Sequence, residues 1–275
     1  MNVVVVGCGY VGSELAARLA RGGHRVHGLR RSEAALPEGV LPLRADVTDA
    51  ESLRAILPED TTHVAYCVGA ASSEPAAYRA AYVDGVRAVL ASLGGRARVV
   101  FTSSTAVLAE DAGGDVDERS PVHTTGNPGI LLEGEQRVRD AGGVVIRLAG
   151  IYGRGRDRIV RMVRDGSARC TQPPPIGNRI HQRDCAGAVA HLLAHPSPEP
   201  VYLGVDDAPV ELCEVYRWIA ERLGVAPPPA SDEPDARGRG ARKRCRNALL
   251  RASGWAPEVP TYRDGYAPLI EALRG

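Results

Sequence analysis

The 275-residue chain has one lysine, Lys243, and a formal charge of only +1. Neither feature offers an electrostatic ground for a nucleic acid or an anionic membrane as partner. Wherever else a cation is needed arginine must serve, and arginine does not exchange protons near neutral pH. No apolar run approaches the roughly 20 residues that span a bilayer, and no basic leader precedes the apolar N-terminus, so a cytoplasmic location is expected. The six cysteines, Cys8, Cys67, Cys170, Cys185, Cys213 and Cys245, include no C-x-x-C pair. Their scatter predicts reduced thiols, with neither disulfides nor a zinc cage. His191 and His195 sit four apart without a third ligand nearby, which reads as solvated residues at a helix end and predicts no metal site. Internal repeats are absent. Hydrophobic residues make up 44% of the chain, which suits a globular fold, and 275 residues imply a large domain with a smaller lobe.

The opening, MNVVVVGCGYVGSELAARLA, places a Gly7-x-Gly9-x-x-Gly12 turn between an apolar strand and a helix. Gly7 permits the tight bend, Gly9 brings no side chain between a pyrophosphate and the backbone, and Gly12 lets the helix pack close to the strand. Free amides at the helix start then face phosphates, making Gly7, Gly9, Tyr10, Val11 and Gly12 a candidate dinucleotide site. Strands follow at Arg25–Leu29, Leu41–Leu43, His63–Val68, Arg98–Thr102, Val144–Leu148 and Val201–Val205. Helices alternate with them over 51–57, 75–93 and 128–141, and an amphipathic helix is predicted over 211–223. This rhythm predicts an α/β fold, a Rossmann-type doubly wound parallel sheet with a small C-terminal substrate lobe. Residues 1–150 with 178–206 form the expected dinucleotide-binding domain, and 151–177 with 207–275 the lobe. Residues 226–241, rich in Pro, Gly and charge, read as a mobile linker. Ligands of such sheets bind beyond the strands' C-terminal ends, where Gly7, Arg30, Gly69, Ser103 and Ser104 fall.

An acidic residue at the end of the second strand would favour NAD, whereas this chain has Leu29-Arg30-Arg31-Ser32. Two guanidiniums there suit the 2′-phosphate of NADP(H), with NAD the alternative; a solvated basic turn is the structural reading. Asp46, followed by Val47 after the third strand, is placed to meet the adenine edge or to begin a turn.

The Gly-rich opening, Asp46-Val47, Phe101-Thr-Ser-Ser-Thr-Ala-Val107, Arg147-Leu-Ala-Gly-Ile-Tyr-Gly153, Arg179-Ile-His-Gln-Arg-Asp184 and Ser253-Gly-Trp255 resemble, in that order, the extended short-chain dehydrogenase/reductases. The likeness is greatest to their atypical branch, the NAD-dependent epimerase/dehydratases. Val6 occupies the first glycine of the extended class's G-x-x-G-x-x-G, which favours that branch. The resemblance implies chemistry through a Ser or Thr, a Tyr and a Lys four residues after the Tyr. Ser104 matches the first. The other two positions fall on Asn127 and Leu131, and Pro121 to Ile146 contains neither Tyr nor Lys. Asn127-Pro128 instead reads as a helix cap followed by proline in the first turn. Tyr152, after the sixth strand, and His123, before the altered helix, are the candidate substitutes.

Arg154, Arg158 and Arg161 are spaced to share a helix face, suited to a phosphate or carboxylate or else solvated. The Lys243 segment and Trp255 resemble the family's C-terminal end, which closes over the pocket. Two functions remain open: an oxidoreductase on a small, anionic or neutral, biosynthetic metabolite, with an epimerase or dehydratase as its variant, and a catalytically degenerate nucleotide sensor. The resemblance also implies a homodimer through the helices near Pro75 and Pro128.

Overall fold

The computed structural model describes residues 1–232 and 242–273. Asn2–Val6 (β1) runs into Tyr10–Arg21 (α1), followed by Arg25–Arg30 (β2), Val40–Arg44 (β3), Ala50–Ile56 (α2) and His63–Tyr66 (β4). After Pro75–Arg79 (α3) and Gly85–Leu93 (α4) come Arg98–Ser104 (β5), Gly126–Asp140 (α5) and Val144–Leu148 (β6). Arg158–Arg164 (α6), Gln182–Ala194 (α7), Val201–Gly204 (β7), Leu212–Leu223 (α8), Ala248–Ala252 (α9) and Tyr262–Glu271 (α10) complete the main elements.

The main sheet among the described residues has the order β7-β6-β5-β4-β1-β2-β3, and every pairing in it is parallel. The pleat of β1 sends Val3 and Val5 to the face covered by α1 and α7, and Val4 and Val6 to the face covered by α2, α4 and α5. All four valines are buried, as a central strand of a doubly wound sheet requires. Strand order reverses between β1 and β4, which opens a crevice at their C-terminal ends.

The helix expected over 75–93 is interrupted by a π turn at Ala80–Asp84. Tyr66 Oη donates to the Ala81 carbonyl at 2.5 Å, drawing it out of the α ladder. A Cβ at position 85 would stand 2.4 Å from that phenol oxygen, so Gly85 is needed there. Helix α5 begins two residues earlier than predicted, with Thr125 at its N-cap. Asn127 therefore does not cap it; Asn127 Nδ2 donates to Ser73 O at 2.7 Å instead. Inside α5, Glu135 is fully buried and pairs with Arg147 of β6, Nη2 to Oε2 at 2.7 Å.

A third core, of Tyr152, Val160, Val163, Leu212, Val215, Ile219, Tyr262 and Tyr266, joins α6, α8 and α10 into the lobe. Here one expectation fails. Cys170 and Cys213 are joined as a disulfide, their Cα atoms 5.3 Å apart across 43 residues of sequence. Folding of the lobe lays the short strand Cys170–Thr171 against the start of α8, a proximity that no spacing rule reveals. The other four cysteines are free. The predicted linker lies outside the described residues from 233 to 241, while Ala230–Ser231 pairs with Cys170–Thr171. Among the described residues no helix is long and apolar enough to cross a membrane.

Candidate active site

The Gly-rich turn is built from close backbone approaches. Gly7 has φ +90°, and a Cβ there would lie 2.8 Å from the Cys67 carbonyl carbon. A Cβ on Gly12 would lie 2.2 Å from Gly7 O, so only glycine lets α1 start this near β1. Gly9 differs: nothing stands within 4 Å of where its Cβ would be. No side chain caps α1, and no acidic residue occupies its first turn. The first-turn amides of Tyr10, Val11 and Gly12 lack intrahelical partners, and with the open space over Gly9 they fit a dinucleotide pyrophosphate. The side chain of Val11 is buried in the core, so its amide is what it can offer.

Tyr10 has a different role from a simple lining residue. Its hydroxyl donates to Arg154 O at 3.1 Å, the Arg156 guanidinium lies 4.3 Å from its ring centroid, and Gln182 Nε2 donates to Tyr10 O at 2.6 Å. These contacts fasten the Gly-rich turn to the 154–156 segment and to the start of α7. Gln182 and Arg156 are invisible in the sequence as partners of Tyr10 because the link exists only once the 154–156 segment and the start of α7 are brought beside α1.

At the end of β2, Arg30 Nη1 donates to the carbonyls of Ala34 and Ala35, at 3.2 and 3.1 Å. Arg30 also lines a cavity of about 450 Å³ with Ser32, Ala34 and Arg44. Arg31 is largely exposed and stands 3.7 Å from Asp46. Asp46 Oδ1 accepts from Thr48 N and Oγ1, at 2.9 and 2.7 Å, and these bonds hold its carboxyl below the usual range. Asp46 thus begins a turn and keeps Oδ2 toward the arginine. Val47 is buried against the sheet. Gly69, beyond β4, is exposed with open space at its Cβ position.

On β5 the pleat divides the two serines. Ser103 is buried and donates to Glu135 Oε1 at 2.5 Å, so its hydroxyl serves the Glu135–Arg147 pair. Ser104 faces the other way. Its Oγ accepts from Ala106 N at 3.1 Å, capping the single 3₁₀ turn Thr105–Val107, and no acceptor for its own proton occurs among the described residues. His123 N donates to Val107 O at 2.8 Å, which sets the His123 loop alongside that turn.

Tyr152 is not at this edge. It is 4% exposed, its ring centroid lies 4.6 Å from that of Tyr266, and its hydroxyl donates to Thr261 O at 3.4 Å. Burial raises its phenol far above the ordinary value. The side chain belongs to the lobe core because α6, α8 and α10 close over it. Of the arginines spaced to share a helix face, Arg158 and Arg161 lie on α6, Arg161 paired with Asp157, while Arg154 precedes the helix. Arg179 is buried and lies over the Tyr262 ring, and Arg183 pairs with Glu258. His191 accepts or donates to Ser253 Oγ at 2.9 Å.

Residues 3–204 match the model of the NAD dependent epimerase/dehydratase family. A protein of Methylobacillus flagellatus, provisionally named an NAD-dependent epimerase/dehydratase, is 34% identical, with a TM-score of 0.82 over 100% of this chain and 99% of that one. A conserved protein of unknown function from Silicibacter pomeroyi is 29% identical, with a TM-score of 0.75 over 99% of each chain. The UDP-glucose 4-epimerase of Thermus thermophilus, solved with NAD, shares the fold at 22% identity, with a TM-score of 0.83 over 100% of this chain and 99% of that one. No curated protein matches the chain. With its family model spanning most of the sequence, the chain belongs to the NAD dependent epimerase/dehydratase family of enzymes.

Proposed function

We propose that the protein is an NADP(H)-binding oxidoreductase of this family that acts on a small biosynthetic metabolite bearing a carbonyl or hydroxyl group. The observation that carries the reading is the uncapped N-terminus of α1 facing the open space over Gly9, with the Ser104 hydroxyl at the neighbouring strand ends. The amides of Tyr10, Val11 and Gly12 hold the pyrophosphate. Arg30 and Arg31 meet the 2′-phosphate, Asp46 the adenine edge, and Gly69 leaves room for the ribose. When bound, the nicotinamide supplies hydride chemistry. Ser104 orients the substrate by donating its unspent proton to a substrate oxygen, and the imidazole of His123, whose loop lies alongside the Thr105–Val107 turn, is the candidate proton carrier. Residues 1–150 with 178–206 form the nucleotide half of this arrangement and the remainder the substrate lobe. A cytoplasmic homodimer through the helices near Pro75 and Pro128, α3 with α4 and α5, belongs to the same proposal, and light scattering would then give twice the 29.1 kDa chain mass.

Absence of Tyr and Lys between Pro121 and Ile146, with Asn127 turned to the Ser73 carbonyl, favours a second reading, a nucleotide sensor without turnover. An epimerase or dehydratase that uses the cofactor transiently is the variant within the first. NADPH oxidation measured over a panel of small aldehydes, ketones and imines separates them. Turnover that falls in Ser104→Ala supports the enzyme, whereas tight NADPH binding with no oxidation of any panel member supports the sensor.

A further inference from the structure

We propose that Tyr82 is a hydroxyl donor of this site, and that its phenol proton is given to an oxygen of the nicotinamide-riboside end of the bound dinucleotide. The inference rests on the dinucleotide reading above and adds a residue to it. Tyr82 lies at the centre of the π turn Ala80–Asp84, a widening of the helix of a kind frequent at functional sites. Its backbone there is fixed from two sides. Tyr66 holds the neighbouring Ala81 carbonyl, and α5 packs so tightly that a Cβ on Gly134 would stand 2.1 Å from Tyr82 O.

The side chain is equally constrained. Its ring meets Phe101 of β5 edge-on at 6.2 Å between centroids, and Tyr78 at 5.2 Å. Tyr82 Oη accepts from Ala70 N at 3.3 Å, which places the phenol against the segment that begins at exposed Gly69 beyond β4. Having accepted that amide, the phenol still carries its proton, and no acceptor for it occurs among the described residues. The side chain is half-buried, and burial shifts its titration upward, so it holds the proton throughout the neutral range. A hydroxyl in this condition can donate but has nothing in the protein to donate to. Ser104 is in the same condition on the adjacent strand, one hydrogen bond accepted and its proton unspent. A donor beyond the end of β4, beside the Ser104 donor assigned above to the substrate at the end of β5, suits a ligand rich in hydroxyl and carbonyl oxygens, as the riboside end is. Position 127, where the resemblance would place a tyrosine, holds an asparagine bonded elsewhere.

Tyr82→Phe keeps the ring contacts and removes only the hydroxyl. NADPH and NADH are each titrated against the substituted and unsubstituted proteins, alongside the fragments that lack the riboside, 2′,5′-ADP and ADP. The expected result is a small fall in melting temperature from the lost Ala70 N bond, a loss of about tenfold in affinity for the favoured dinucleotide, the scale of one hydrogen bond, and unchanged affinity for its fragment. With ring-labelled tyrosine, the NMR signal missing from Y82F should shift on adding the dinucleotide and stay in place on adding the fragment. Equal dinucleotide affinity in the two proteins overturns the inference. So does a parallel loss of dinucleotide and fragment, which would mark a displaced loop. If the unsubstituted protein binds neither dinucleotide, the dinucleotide reading itself fails, a result distinct from both.

Discussion

Arg30 tests cofactor choice at the scale of a single side chain. Part of its guanidinium secures the 31–36 segment through the Ala34 and Ala35 carbonyls, and the remainder is what a 2′-phosphate can use. Arg30→Ala is expected to weaken NADPH by about 1.5 to 3 kcal/mol, the scale of a charged hydrogen bond, with little change for NADH. Equal losses for both nucleotides in a fluorescence titration would instead assign Arg30 to the loop alone. Asp206 makes a second prediction. It is buried, Oδ1 accepts from Ala208 N at 3.1 Å, and Oδ2 has no hydrogen-bond partner among the described residues. Desolvation raises its carboxyl to about 7 despite the nearby Arg179. An acid raised on folding favours the protonated folded state, so this contribution is fully present below about pH 4 and is lost as pH rises through 7. Asp206→Asn should therefore melt increasingly above the unsubstituted protein as pH goes from 5 to 8, while Asp184, raised to about 6, leaves a residual slope in both. Parallel melting curves over that range would contradict the assignment. Residue positions were legible where a strand end alone decides them, as for Arg30, Asp46 and Ser104. They were illegible where direction depends on distant packing. Ser103 differs from Ser104 only by the pleat and by a glutamate 32 residues on, and Tyr152 is claimed by a lobe core assembled from three later helices.

At the scale of elements, the Gly-rich turn separates two kinds of glycine. Gly12→Ala drives a Cβ into Gly7 O and should lower stability by about 1 to 3 kcal/mol, as overpacking does. Gly9→Ala meets nothing in the protein, so the melting temperature should hold while NADPH affinity drops by at least an order of magnitude. Denaturation and binding measured on both variants check this; a destabilised Gly9→Ala that still binds would reverse their roles. The seven strands of the main sheet and the helices alternating with them as far as β6 followed from hydrophobic pattern, because a run such as Val3–Val6 buried on both faces has few alternatives to a central parallel strand, whereas α6, α7, α9 and α10 were not delimited. The π turn was not legible. It depends on Tyr66 reaching the Ala81 carbonyl from a strand that precedes it by 15 residues, and helical periodicity carries no record of that bond.

For the whole molecule, Cys170–Cys213 closes a loop within the third core region, and Arg154 and Arg156 fasten the segment before α6 to Tyr10 of α1. Thiol titration of the denatured protein should find four reactive cysteines before reduction and six after it. A closed loop of 43 residues corresponds to about 4 kcal/mol by the chain-entropy estimate, so reduction should lower the melting temperature measurably. Six thiols without reductant would contradict the bond. In the proposed reading the uncapped start of α1 takes the pyrophosphate while Ser104 of β5 and Tyr82 of the π turn supply hydroxyl donors, and the enzyme reading depends on the first of these being filled. Calorimetric titration of the unsubstituted protein with NADPH and NADH addresses that directly. The account predicts saturable binding of one nucleotide per chain, with NADPH the tighter. No heat from either nucleotide, together with no rise in melting temperature at millimolar concentration, would contradict it.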